Sequence, residues 1–99
     1  MADMSEEDGQ LLQTLEYCEH LAWLGVSAMR AEPFGVALSC RNRVVGIWSF
    51  YRGQYRYRSL ANWEPIASVA TLDMVLELTG WMADLDAWVG FPALRGRVH

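Results

Sequence analysis

Residues 44–60 read VVGIWSFYRGQYRYRSL, and this stretch decides the fold class. Residues of the β-branched and aromatic types that favour strands fill positions 44–51, and polar and apolar residues alternate over 54–60. Between them, Arg52-Gly53 is typical of a two-residue hairpin turn. Such a turn sets the register of the hairpin. The predicted pairs are Tyr51–Gln54, Phe50–Tyr55, Ser49–Arg56, Trp48–Tyr57 and Ile47–Arg58.

A third strand is predicted before this hairpin, because residues 36–40 also alternate and Arg41-Asn42-Arg43 favours a tight turn. The three segments predict an antiparallel meander. One face of this sheet is expected to carry cross-strand aromatic pairs formed by Trp48, Phe50, Tyr55 and Tyr57. The other face is expected to carry Val36, Leu38, Cys40, Val45, Ile47 and Leu60, together with Arg56 and Arg58.

Helical periodicity precedes the sheet. Ser5 is a good N-cap, and the apolar positions Leu11, Leu15, Cys18 and Ala22 follow it at steps of four, three and four. This pattern predicts an amphipathic helix from residue 6 into the late twenties, unless Gly25 interrupts it.

A second helix is predicted after the sheet. Residues 62–70 form a connection with room for a short strand at 67–69, and Thr71 then caps the helix. Gly90 and Pro92 are expected to stop it. Its main apolar positions, at steps of four, three, four and three, are Met74, Leu78, Trp81, Leu85 and Trp88.

The predicted fold is therefore α+β: an N-terminal amphipathic helix, a three-stranded antiparallel meander and a C-terminal helix. One domain is expected over residues 1–99, with a frayed tail at 1–4 and a C-terminal tail at 91–99. This order of elements resembles that of double-stranded-RNA-binding domains. The likeness concerns topology alone, because Thr71-Leu72-Asp73 stands where that family has the basic helix start that grips phosphate.

The charges lie in blocks. Twelve acids and eight bases, all of them arginine, give a net charge of −4. Residues 1–32 carry −6, residues 33–63 carry +5 and residues 64–99 carry −3. Either the acidic helices neutralise a basic hairpin across the fold, or the hairpin presents a basic face to an anionic partner.

The sequence lacks the residues that most kinds of enzyme catalysis need. Without lysine there is no Schiff base and no P-loop, and the glycines are scattered singly. Cys18, His20, Cys40 and His99 have no metal-ligand spacing. We therefore expect no enzyme activity, cofactor or metal, and we interpret both cysteines as small buried hydrophobes.

The location of the protein is also predicted from composition. No apolar run approaches the roughly 20 residues of a membrane span. The start of the chain is acidic, unlike the start of a signal peptide. These features predict a soluble cytoplasmic protein that does not associate with a membrane.

The apolar surface exceeds what two helices can cover, since both predicted sheet faces are apolar. The favoured interpretation is that a second copy of the chain covers this surface in a homodimer. The alternatives are a different protein partner, or self-covering by the loop 61–70 and the C-terminal tail, with Trp63 and Phe91 as plugs. The predicted interaction surface comprises Trp48, Phe50, Tyr55, Tyr57, Arg52, Arg56, Arg58, Trp81 and Trp88.

The sequence thus predicts a small non-catalytic interaction domain that binds another protein stoichiometrically. Phage and mobile-element inhibitors of host systems, such as anti-CRISPR proteins, include many short acidic chains of this kind. One alternative is a small-molecule pocket lined by Trp48, Tyr57, Trp63 and Trp81. The other is a nucleic-acid module using the basic hairpin, which the net charge of −4 disfavours.

Overall fold

A computed structural model describes residues 5–31, 35–61 and 65–88. The α+β class is confirmed, but the sheet has five antiparallel strands in the order β1-β2-β3-β4-β5 and not three. The described elements are α1 (Glu6–Glu16), α2 (Glu19–Trp23), β1 (Val26–Arg30), β2 (Val36–Cys40), β3 (Arg43–Tyr51), β4 (Gln54–Ser59), β5 (Pro65–Val69) and α3 (Leu72–Leu85).

The first helix is shorter than predicted, and the expectation that it reaches the late twenties is wrong. Helix α1 ends at Glu16, α2 follows, and Gly25 then adopts φ +86°, a conformation that favours glycine. The chain continues as β1, which pairs along β2 from Val26–Cys40 to Arg30–Val36. The apolar series that predicted the helix ends at Ala22, before the residues of this strand.

The predicted hairpin register is confirmed over all five pairs, from Tyr51–Gln54 to Ile47–Arg58. Arg52 and Gly53 have φ values of 51° and 81°, as a two-residue turn with a left-handed backbone requires. Two aromatic pairs cross the hairpin, with ring centroids 5.4 Å apart for Trp48–Tyr57 and 4.9 Å apart for Phe50–Tyr55.

The predicted division of the sheet faces is wrong for β2, and a β-bulge is the reason. Arg41 and Asn42 form the β2–β3 turn, and the Cys40–Arg43 pairing predicts that Val36 lies opposite Ile47. An extra residue, Val45, shifts the register, so that Val36 lies opposite Trp48 instead. Because directly paired residues share a face, the β2 apolar residues join the aromatic face. The buried residues moved to it are Val36, Leu38, Cys40 and Val45.

Gly46 accompanies the bulge because the ring of Tyr57 lies directly over it. A Cβ at position 46 would stand 2.2 Å from the Tyr57 hydroxyl oxygen. That hydroxyl hydrogen-bonds to the carbonyl oxygens of Val45 (3.2 Å) and Trp88 (3.1 Å), which ties the bulge to the residues after α3.

All three helices cover the aromatic face. Helices α1 and α2 pack on β1, and α1 also reaches β2 and β3. Helix α3 starts at its Thr71 cap as predicted, and the Trp48 indole N–H donates to Thr79 Oγ1 at 3.0 Å. The helix ends at Leu85, before the predicted stop, because Asp86 is left-handed with φ 52°.

Two further expectations change with the five-stranded sheet. Strands β1 and β5 flank the predicted meander, so the topology no longer matches that of double-stranded-RNA-binding domains. Among the described residues, no helix is long and apolar enough to cross a membrane. Trp63, Phe91, the stop at Gly90 and Pro92, and the predicted tails 1–4 and 91–99 lie outside the described residues.

Candidate interaction surfaces

Most of the predicted aromatic surface belongs to the core. Trp48 and Tyr57 are fully buried, Tyr55 and Trp88 are more than nine-tenths buried, and Phe50 is half-buried. The helices cover this face, so these side chains cannot reach a partner while the fold is intact. The members of the predicted interaction surface that are exposed or half-buried are Arg52, Arg56, Arg58 and Trp81, together with Phe50 on the face that the helices cover.

The predicted aromatic pocket is not assembled in the described part of the chain. Trp48 and Tyr57 pack against each other in the core with tilted rings, Trp81 lies on the surface of α3, and Trp63 is outside the described residues. A hollow of about 410 Å³ occurs instead at one end of the sheet. Its lining residues are Arg43, Val44, Val45, Ser59, Leu60, Ala61, Asp86 and Trp88.

The face of the sheet opposite the helices carries the first exposed surface, which we call the outer face. The strand register places Met29, Ile47 and Arg58 in one row across it, and Ser49 and Arg56 in the next. Tyr51 continues this face, and no described helix packs on it. The outer face is therefore available for contact within the described structure.

Tyr51, Arg52 and Arg56 form an arginine–tyrosine cluster on the outer face. The guanidinium carbons of Arg52 and Arg56 lie 5.3 Å and 5.1 Å from the centroid of the Tyr51 ring, within cation–π range. Neither arginine forms an ion pair with a described residue, and the Nε of Arg56 is buried without a hydrogen-bond partner. The aromatic ring therefore holds two positive charges at one place on the surface.

The charges of the described residues divide by layer. Helices α1, α2 and α3 contain acidic residues and no arginine, whereas the five strands and the turns at 41–42 and 52–53 contain arginines and no acidic residue. The sequences that connect β1 to β2 and β4 to β5 each contain one acid, Glu32 and Glu64. One ion pair between the layers, Arg43–Asp86, spans 3.9 Å with both side chains 72% exposed, and such pairs contribute little.

The second exposed surface is an apolar stripe on α3, formed by Met74, Leu78, Trp81 and Leu85. Met74, Trp81 and Leu85 are 47%, 59% and 62% exposed, and Leu78 is half-buried. The steps of four, three and four are those of a helix that packs along another helix. The periodicity correctly marked an apolar stripe, but the described core uses the adjacent flank of α3, which includes Val75 and Met82.

Two features of these surfaces were not predicted. Strand β5 is a full edge strand, although only a short strand at 67–69 was considered. Asp8 is 6% exposed and its carboxylate accepts hydrogen bonds from the N–H groups of Gly35 and Phe50. The sequence marked Asp8 only as the third helical position of an imperfect capping box after Ser5, and that pattern does not predict a buried carboxylate that binds the sheet.

No group of three or more His, Cys, Asp or Glu suited to a metal ion occurs among the described residues. Cys40 is buried in the core as predicted, Cys18 is half-buried, and both are free thiols. Comparison with protein-family models, curated proteins and solved structures finds no match to this chain.

Proposed function

We propose that this protein is a non-catalytic interaction domain that binds another protein stoichiometrically through the outer face of its sheet. The arginine–tyrosine cluster carries the proposal, because it holds two guanidinium groups over one ring, and neither forms an ion pair with a described residue. Tyrosine and arginine are the residue types that most often anchor interfaces. The partner surface that fits them is acidic, since guanidinium groups form strong hydrogen bonds with carboxylates.

An acidic protein suits this surface better than a nucleic acid does. Recognition of single strands uses exposed aromatic rings on which bases stack. Four of the sheet's aromatic side chains point to the helices, and Tyr51, which is 52% exposed, already has an arginine over its ring. The net charge of −4 also opposes the approach of a polyanion.

Stoichiometric binding of this kind is how a small protein blocks a larger one. The proposal includes a biological role for this binding. The protein would be a phage or mobile-element product that inhibits a host system, as anti-CRISPR proteins do. Its support is the segregation of charge between the described helices and strands, and it requires no catalytic group.

The test uses a fluorescently labelled oligoglutamate peptide as the acidic probe. We expect Arg56→Glu to weaken its binding about tenfold or more, the scale of a lost charge-assisted hydrogen bond. Arg41→Glu is the matched control, because it makes the same charge change in the other hairpin, at an exposed residue outside the cluster. We expect it to weaken binding less than about threefold, the scale of screened long-range charge.

Two results would overturn the proposal. Equal losses in Arg56→Glu and Arg41→Glu would show that only net charge matters. Tighter binding of a single-stranded oligonucleotide of equal charge, lost in Arg56→Glu, would assign the outer face to nucleic acid.

A second candidate is a small-molecule site in the hollow at the end of the sheet. The observation that favours it is the indole Nε1 of Trp88, which is buried without a hydrogen-bond partner in a residue that lines the hollow. The volume is within the range of ligand sites. Tryptophan fluorescence during a screen of small hydrogen-bond acceptors tests this, and a Trp88→Phe variant should abolish any response that originates there.

A further inference from the structure

We infer that the protein forms a two-fold dimer in which β5 pairs with β5 of a second copy and the α3 stripes pack together. The inference goes beyond the proposed function, since it concerns a different surface and a different occupant. It rests on the position of the stripe, on the nature of the β5 edge and on the area that the two supply.

The stripe faces the β5 side of the molecule. A Cβ at Gly80 would lie 3.8 Å from the His20 ring, so α2 packs on the Gly80 flank of α3. Helices α1 and α2 cover β1, β2 and β3, which places them toward the β1 edge. At 100° per residue, Trp81 and Leu85 point about 100° and 140° away from Gly80, toward the opposite edge.

Strand β5 ends the sheet on that side. It pairs only with β4 among the described strands, so half of its backbone N–H and C=O groups face outward. Its sequence, PIASV, contains no charged residue, although charge is the usual protection of an exposed edge. Pro65 is the first residue of the strand, where it removes no more than one outward donor.

Strand and helix together provide the area that a dimer needs. Taking roughly 150–250 Å² for a large apolar side chain, the exposed parts of Met74, Trp81 and Leu85 amount to about 300 Å². A standard interface buries about 800 Å² per partner, so β5 and its flanking residues would have to supply about 500 Å². Exposed apolar patches of about 300–600 Å² are often functional contact surfaces.

A second copy also fits because a two-fold axis brings equivalent elements together. An antiparallel β5–β5 pair extends the sheet and sets the two α3 helices side by side, with stripe against stripe. Glu77 and Asp84 lie at the solvent edge of the stripe and meet like charges there. We therefore expect added salt to tighten the dimer, whereas it loosens binding of an acidic peptide to the outer face.

The first test is solution mass by light scattering over a range of concentrations. The wild type should have twice the monomer mass, and Trp81→Glu should raise the dimer dissociation constant at least about 30-fold, as loss of an interface hot spot does. Trp23→Glu is the matched control, since Trp23 is 82% exposed on α2 and lies outside the proposed seam. It should remain dimeric.

The second test does not depend on Trp81→Glu folding well. Ser68→Cys on β5 and Ser27→Cys on β1 are equivalent exposed changes on the two edge strands, made in a Cys18→Ser background. A short bis-maleimide should join two copies through position 68 and not through position 27. The inference is overturned by a monomeric wild type, by a dimer indifferent to Trp81→Glu, or by cross-linking at position 27 alone.

These outcomes are separable from those of the proposed function. Arg56→Glu lies on the outer face and should leave the dimer mass unchanged while it reduces peptide binding. Trp81→Glu should raise the dimer dissociation constant and leave the affinity of each protomer for a short acidic peptide unchanged.

Discussion

Replacing Asp8 with alanine should destabilise the fold more than any change to another acidic residue of α1. The Asp8 carboxylate is 6% exposed and accepts from the N–H of Phe50 at 3.1 Å and from the N–H of Gly35 at 3.3 Å. The β2–β3 pairing ends at Val36–Trp48. Asp8 therefore accepts from the N–H of Phe50 on β3 at a position that β2 no longer reaches.

The magnitude follows from these two bonds. A hydrogen bond to a charged group contributes about 1.5–3 kcal/mol, and alanine leaves both buried donors without an acceptor. We expect a loss of about 3–5 kcal/mol, a large fraction of the roughly 5–15 kcal/mol that stabilises a domain. At about 4–8 °C per kcal/mol, the melting temperature should fall by at least about 12 °C.

Urea unfolding followed by tryptophan fluorescence measures this loss directly. Glu6→Ala is the control, because Glu6 is an exposed acid in the same helical turn and shares its interaction with the helix dipole. It should cost less than about 1 kcal/mol. If Asp8→Ala costs no more than Glu6→Ala, the carboxylate does not tie α1 to the sheet and the reasoning is refuted.

Three further predictions concern the packing around Tyr57 and Trp48. Gly46→Ala should cost about 2–3 kcal/mol in chemical denaturation, because its Cβ would overlap the Tyr57 ring; a neutral result would show that the bulge can adjust. Thr79→Val should cost about 1–3 kcal/mol by removing the acceptor of the buried Trp48 N–H, with Thr71→Val, at the helix cap, as a comparison of similar chemistry. Burial raises the pKa of the Tyr57 phenol, so the contribution of Tyr57 to stability should be constant below about pH 10 and fall as the pH rises further, and Tyr57→Phe should flatten that fall.

The hairpin was predictable because its turn and its alternation agree. Arg52-Gly53 favours a two-residue hairpin turn, and this turn fixes all five strand pairs from Tyr51–Gln54 to Ile47–Arg58. The cap of α3 was equally local, since Thr71 accepts from the N–H of Met74 three residues later. In both cases the deciding interactions span only a few residues along the chain.

The assignment of the sheet faces failed because it depended on one residue. Val45 adds a single position to β3, and a shift of one residue exchanges the two faces of a strand pair. Which residues change face becomes clear only when the ring of Tyr57 is placed over Gly46. This packing is a contact between neighbouring strands. Strand β1 was missed because the predicted helix was extended beyond Ala22, the last position of its apolar series, into residues that pair with β2.

The same correction explains why the aromatic residues gave the wrong surface. Once Val36 and Leu38 join Trp48, one face holds both apolar sets and the helices can cover it. The uncovered apolar surface is then smaller than the sequence indicated, and it lies on α3 and not on the sheet. The candidate surface consequently consists of the arginines and of Trp81, not of the cross-strand aromatic pairs.

The two proposals reinforce each other in one respect that can be measured. A two-fold axis perpendicular to the sheet keeps like faces on the same side, so a dimer through β5 would present both arginine–tyrosine clusters on one continuous basic surface. A partner with two acidic sites would then bind with an avidity that a single protomer lacks. We expect Trp81→Glu to weaken binding of a tandem oligoglutamate probe at least about tenfold and to leave binding of the single-site peptide unchanged. Equal effects on both probes would show that the dimer presents the clusters on separate sides, or that Trp81 itself contacts the peptide.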